Sequence, residues 1–341
     1  MRLISNTNFY VFNFIYLLFL LDAYGFEPCR IAEPHVELVF QQADNKADRA
    51  SRADRAGRAN RAYEASIATW NVRWFPGLSP KETDQHTIDT QVTEVRHHIR
   101  ELNPWFIFLC EVRDLQALKK LQLNYPALAC THIPRAEDER PDLPLQSLAF
   151  MSAIPWKDIW VLDFSDMALT RDRPRRGVLA ASFACHDETL LYIYGVHLKS
   201  NIGNFNNNIV RRERTMRYIL RDWERLGIDP FKDKIIVLGD FNTSVLNKVF
   251  DREKTFTMLK ERKFKNAYFS SEAHLRLTMK PGKYGQGDVY DYITYSSPLS
   301  EFMDRHHTTI DVPDTASDHH MVSQKTEKLY SILKKHSATA K

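Results

Sequence analysis

From Tyr63 onward the chain alternates between two hydrophobic rhythms, one of about two residues and one of about 3.6. Ser66 to Val72 reads as a strand that enters a loop at Arg73-Trp74-Phe75-Pro76-Gly77. Between Thr83 and Leu102, apolar residues fall at Ile88, Val92, Val95, Ile99 and Leu102, which predicts a helix stopped by Asn103-Pro104. Trp105 to Val112 is a continuous apolar run of strand length, broken near its end by Glu111. A short helix over Asp114 to Leu123 follows, then strands over Ala127–Ile133, Ser147–Ser152, Gly177–Cys185 and Leu190–Leu198. The last two form a hairpin about His186-Asp187-Glu188. Asn206 to Leu226 is a long charged helix and Lys234 to Leu238 a buried-type strand, with further strands at Asp288–Ser296 and His319–Val322. Strands outnumber helices, so two packed sheets with helices outside are the economical arrangement. Neither a duplicated half nor a second linker interrupts residues 63–325, which read as one domain followed by a C-terminal tail over 326–341.

The start of the chain is different. One arginine and the α-amine precede Phe9 to Leu21, thirteen residues in which only Asn13 is polar, and Ala23-Tyr24-Gly25 ends the stretch on small residues. These are the proportions of a cleavable export signal over residues 1–25. Thirteen residues fall short of the roughly 20 that a spanning helix needs, so no stable membrane association is expected after cleavage. Export permits disulfides among Cys29, Cys110, Cys130 and Cys185. Cys110 lies in an apolar run and reads as a buried thiol; if any pair forms, Cys130 with Cys185 is the favoured one.

Within an N-terminal extension over 26–62, residues 46–62 (KADRASRADRAGRANRA) repeat arginine every third position. Lys46 and five arginines against Asp48 and Asp54 give this arm +4, so the rest of a chain whose net charge is +4 sums to zero. A three-residue step turns about 300° on a helix, so the arginines spiral around it and no large side chain is offered to a core. The segment reads either as a solvated linker or as a basic arm that grips phosphate backbones through salt-dependent contacts. Across all 341 residues, 43% hydrophobic and 26% charged residues exclude wholesale disorder and a multi-span membrane protein. Four cysteines without a C-x-x-C pair exclude a disulfide scaffold and give no sign of structural zinc.

Candidate chemistry sits at strand ends. Asn71 follows SIATW, Glu111 follows WFIFLC, and His197 follows YIYGV. Asp240 and Asn242 follow KIIVL, Asp291 stands within VYDYITY, and Asp318-His319 precede MV. Each alone has an ordinary explanation as a turn former or a satisfied polar group. Together they place several carboxylates and two histidines at strand ends, where side chains reach a sheet's rim. Oxygen donors without a cysteine–histidine cluster suit magnesium, with manganese or calcium as alternatives, rather than zinc.

The succession TWNV, CEV, VHLKS, GDFN, DYI and SDHH resembles the endonuclease/exonuclease/phosphatase superfamily, with its deoxyribonuclease I-like fold, over residues 66 to 323. The resemblance implies an α+β, four-layered sandwich: two packed, mainly antiparallel sheets flanked by helices, with the site at one rim. It implies a metal site at Glu111, with Asn71 beside it and Asp318 sharing it. Asp291 would orient His319, which contacts the scissile phosphate or acts as acid/base. Asp240 would orient or deprotonate the water, Asn242 would donate to the same phosphate, and His197 would stabilise developing negative charge. Which residue is the general base stays open. Arg176, Lys199 and Asn201 are candidate substrate contacts, and His320 should face away from the site. One departure from the family pattern is Cys110, where glutamine usually precedes the glutamate; strand alternation should turn it away from Glu111. The implied activity is that of an exported, secreted or periplasmic, monomeric phosphodiesterase, foremost a nuclease acting on DNA. The same chemistry would serve a sphingomyelinase-like phospholipase or an inositol-phosphate phosphatase, and an inactive binding module is the remaining class. Trp74-Phe75 and Trp156 to Trp160 are the aromatic segments that a lipid-inserting surface would use, or that a core would absorb.

Overall fold

A computed structural model of the chain describes residues 63–131, 146–164, 174, 176–266, 268, 277–282 and 287–339. The export signal and the basic arm lie outside the described residues. In order, the elements are β1 (Glu64–Phe75), α1 (Gln85–Leu102), β2 (Pro104–Val112), α2 (Leu115–Lys119), β3 (Ala127–Cys130), β4 (Ser147–Ser152) and β5 (Asp158–Leu162). Then come β6 (Val178–Ala184), β7 (Leu190–His197), α3 (Phe205–Leu226), β8 (Lys234–Asp240), α4 (Thr255–Glu261), β9 (Asp291–Tyr295), β10 (His307–Ile310), β11 (Met321–Lys325) and α5 (Glu327–Thr339).

Strand order is β10-β11-β1-β2-β4-β3 in one sheet and β5-β6-β7-β8-β9 in the other. All neighbours are antiparallel except β1 with β2 and β7 with β8. A parallel pair needs a long crossover, and α1 and α3 supply the two crossovers here. The expected four-layered, mainly antiparallel sandwich is the observed one.

Alternation along the strands builds three apolar layers. Phe106, Phe108 and Phe150 of one sheet meet Phe183, Ile193, Ile236 and Leu238 of the other between the sheets. Trp70, Ile107 and Leu109 face Val92, Val95 and Ile99 of α1, while Tyr194, Ile235 and Val237 face Met216, Ile219 and Trp223 of α3. Both helices are capped as their sequences suggest. Asp84 and Asn204 accept from backbone N–H groups at the N-termini, and Asn103 and Gly227 take left-handed conformations at the C-termini.

Several expectations are corrected. β1 runs to Phe75, through the stretch read as a loop. The tail expected from residue 326 is instead helix α5, because Leu329 and Leu333 close the inter-sheet core and Tyr330 stacks on Trp105. Cys110, Cys130 and Cys185 are buried thiols and form no disulfide. Cys130 packs with the α1 side of its sheet and Cys185 with the inter-sheet core, so the two belong to different layers.

Candidate active site

Four strands end, and two begin, at one rim. In β7 and β8, His197 pairs with Asp240, and across β8 and β9 Asp240 pairs with Asp291. Asn71 lies opposite Cys110 in the other sheet, one residue before Glu111. The rims of the two sheets meet through the Asn71 amide. Its Nδ2 donates to Glu111 Oε1 at 3.2 Å and to Asp240 Oδ2 at 3.0 Å, while its Oδ1 accepts from Arg73 N at 3.0 Å.

The local backbone is bent to make this possible. Glu111 has φ 63°, and the β2–β4 pairing steps from Cys110↔Leu148 to Val112↔Ser147, so Glu111 is an extra residue in a bulge. The bulge resets the alternation: Cys110 points into the inter-sheet core, Val112 points toward α1, and Glu111 faces the rim. Trp74 N donates to Glu111 Oε2 at 3.1 Å. On β8, Gly239 adopts φ 135°, and a Cβ there would lie 2.0 Å from Val196 O and 2.7 Å from the Phe108 ring. Only glycine fits immediately before Asp240. Asn242, at φ 50°, sends its N–H to Asp240 Oδ1 (2.8 Å) and its Nδ2 to Leu198 O (3.1 Å).

The electrostatics follow from burial and neighbours. Burial, then the nearby Asp291 carboxylate, pushes Asp240 up to about 7. His319 Nδ1 lies 2.7 Å from Asp291 Oδ2. Burial opposes charging that ring, yet the Asp291 carboxylate overrides it and raises His319 to about 10. His319 is therefore an imidazolium at neutral pH, with Nε2 as its remaining donor. His197 goes the other way, since burial and the positive charges of Arg176 and His319 push it well below its ordinary value. Its Nε2 sits 3.4 Å from Asp240 Oδ2 and 3.7 Å from Glu111 Oε1.

The remaining expected residues have other engagements. Asp318 pairs with Arg73 at 3.6 Å and is partly exposed. Arg176 forks onto Gln146 Oε1 (3.1 and 2.6 Å) and reaches Leu198 O at 2.8 Å, its charge facing Glu111 and Asp240. Lys199 Nζ donates to Ser200 and Ile202 within its own loop. Asn201 donates to Asn242 O at 3.1 Å. His320 faces Asp311 at 3.6 Å, away from His319.

Two bracing residues escaped the sequence reading. Gln91 is buried on α1, where its amide receives Gly77 N and Leu78 N and donates to Val72 O, Arg73 O and Ala316 O. It falls one position before Val92 on an otherwise apolar stripe, the only signal it gives. Ser317 Oγ donates to Asn71 O at 2.6 Å and accepts from His319 N at 3.0 Å, tying together two site strands.

A family model described as the Endonuclease/Exonuclease/phosphatase family matches residues 68–319. The chain belongs to this family. No curated protein sequence matches it. Solved structures with the same fold include an endonuclease/exonuclease/phosphatase from Beutenbergia cavernae (15% identity, TM-score 0.55, covering 77% of this chain and 71% of that one). The human nocturnin catalytic domain with bound sulfate is similar at 16% identity and TM-score 0.53, covering 76% of this chain and 93% of that one. A Neisseria 3′ phosphatase bound to product DNA hairpin is similar at 14% and 0.52, covering 77% and 99%. Endonuclease/exonuclease/phosphatase proteins are phosphoric ester hydrolases that use divalent metals, and the acidic residues of this chain could form such a site.

The donor set fits a hard divalent cation. Asp240 and Asp291 bring carboxylate oxygens close together beside His319, whose protonated ring offers no lone pair, and Glu111 joins Asp240 through the shared Asn71 amide. Three carboxylates crowd a rim where one is already pushed up toward neutrality, an excess of negative charge that a cation offsets. Glu111 is the better anchor, because His319 Nδ1 and Asp291 are committed to each other.

Proposed function

We propose that this chain is an exported, monomeric, divalent-metal-dependent phosphodiesterase whose substrate is DNA. The observation that carries the hydrolytic reading is geometric: Glu111 and Asp240 are joined by one Asn71 amide, and the Asp291–His319 pair lies beside Asp240 at the same rim. Glu111, with Asn71 beside it, would hold the cation, magnesium or manganese. When bound, such an ion stabilises charge on the phosphoryl oxygens.

The chain's own groups supply the rest. Asp240 orients the attacking water and takes its proton, its carboxylate held in place by Asn71 Nδ2 and Asn242 N. His319, held by Asp291, donates from Nε2 to the phosphoryl oxygen or the departing alkoxide. His197 stays neutral beside both carboxylates, a polar donor that adds no competing cation. Asn71 keeps Glu111 and Asp240 at a fixed separation.

DNA is favoured by the +4 arm at residues 46–62 and by the DNA hairpin bound to the Neisseria relative. Of the aromatic residues that a lipid-inserting surface would use, Phe75 and Trp156 are buried and the partly buried Trp160 donates to Asp222 at 2.9 Å, while Trp74 is half-buried. Among the described residues no helix is long and apolar enough to cross a membrane. The deciding assay offers residues 26–341, with magnesium, plasmid DNA, RNA, sphingomyelin and a soluble inositol phosphate side by side. Preferential cleavage of plasmid supports the proposal; faster turnover of any other substrate replaces DNA by that class.

A further inference from the structure

Arg212 is a charged side chain with no exposure, in the middle of helix α3 and outside the cluster of groups described above. Burying a guanidinium is costly unless its donors are used, and here four of its five N–H donors are. Nε and Nη2 fork onto Glu253 at 2.9 and 2.6 Å. Nη1 donates to Lys199 O at 2.9 Å and to Asn201 Oδ1 at 3.0 Å. Asn201 in turn donates to Asn242 O at 3.1 Å, and Asn242 N holds Asp240 Oδ1 at 2.8 Å. Phe250 lies against the guanidinium, and Thr255 Oγ1 donates to Glu253 Oε1 at 2.5 Å, so the acidic partner is itself fixed.

We propose that Arg212 and Glu253 are a positioning pair for phosphate-ester hydrolysis, holding the Lys199–Asn201 loop and, through Asn201, the left-handed turn at Asn242 that aims Asp240. This rests on the hydrolase reading above. A buried pair of this kind adds little net stability compared with well-packed neutral residues, but its planar fork fixes geometry that a point charge cannot. Asn242 needs that support, since its positive φ is a conformation a non-glycine residue holds only when its surroundings impose it.

The test uses the neutral pair Arg212→Met/Glu253→Gln, which leaves no uncompensated buried charge, together with Asn201→Ala and the triple variant. The neutral pair should lower kcat by about 10- to 100-fold, the cost of a misplacement near 1 Å, with KM changed less than about threefold. Asn201→Ala should lower kcat comparably, and the triple variant should lose no more than the worse of its parents. Arg212→Lys should not rescue kcat, because its ammonium cannot span the four acceptors. Amide exchange at Asn242, read without substrate, should quicken in both the neutral pair and Asn201→Ala. A folded Asn201→Ala with wild-type kcat, multiplicative losses in the triple variant, or unchanged exchange at Asn242 each overturns the proposal. A wild-type chain that hydrolyses no phosphate ester defeats the hydrolase reading instead, and the exchange measurement still judges the link between Arg212 and Asn242.

Discussion

Replacing Asp291 by asparagine keeps the size of the side chain and removes the charge that keeps His319 protonated. The contact is buried on both sides at 2.7 Å, so solvent does little to weaken it. An opposite charge about 4 Å from the ring centre, at an effective dielectric near 20, is worth about 4 kcal/mol. At about 1.4 kcal/mol per factor of ten, losing it weakens proton binding to the ring, now raised to about 10, by roughly a thousandfold. The variant's imidazole then titrates within the working range of the assay. With metal concentration held fixed, its kcat should fall steadily between pH 7 and 9, while the wild-type limb set by His319 descends only near pH 10. Stability should follow the same window. A histidine whose folded pKa exceeds its unfolded value of about 6.5 stabilises the fold fully below that value and loses the contribution as pH rises through about 10. The wild type should therefore out-melt Asp291→Asn most at pH 6 and by little above pH 10. NMR titration of the His319 ring together with a pH–kcat profile checks both. A wild-type ring that titrates near 6.5, or variant and wild-type profiles that run parallel, would refute the reasoning.

Chelation with EDTA should abolish turnover and magnesium or manganese restore it; Glu111→Gln should raise the metal concentration for half-restoration at least tenfold with the melting temperature nearly unchanged, as a metal titration and a melting curve would show. Gly239→Ala should destabilise the fold by about 3 kcal/mol or more, because its Cβ meets Val196 O at 2.0 Å, and the urea midpoint reads this directly. Protein that stays folded should also lose activity, since the displaced backbone carries Asp240.

Strong periodicity was legible because burial imposes it. The spacing of Ile88, Val92, Val95 and Ile99 foretold α1 to within two residues of its start, and Ser147–Ser152 is β4 to the residue. The weak elements were silent for the opposite reason. β10, HTTI, is an edge strand with little burial, so neither alternation nor an apolar run marks it, and the short run of β5, DIWVL, half-buried at the other edge, is too brief to stand apart from the aromatic segment before it. α5 puts Leu329 and Leu333 into a core built by strands far away in sequence, and its local pattern does not stand out from a tail.

The chemistry divides along a similar line. Residue types at strand ends, their order and the absence of zinc-binding cysteines follow from the sequence, because each strand's alternation ends where its polar residue begins. Convergence did not follow. The bulge that turns Glu111 toward the rim, the Asn71 amide that joins two sheets and the Arg212 chain to Asn242 depend on contacts spanning up to 169 residues. Protonation belongs wholly to the tertiary structure. His197 and His319 have the same side chain, yet burial among cations neutralises one and a carboxylate at 2.7 Å charges the other, because a pKa responds to distance through space and not to spacing along the chain.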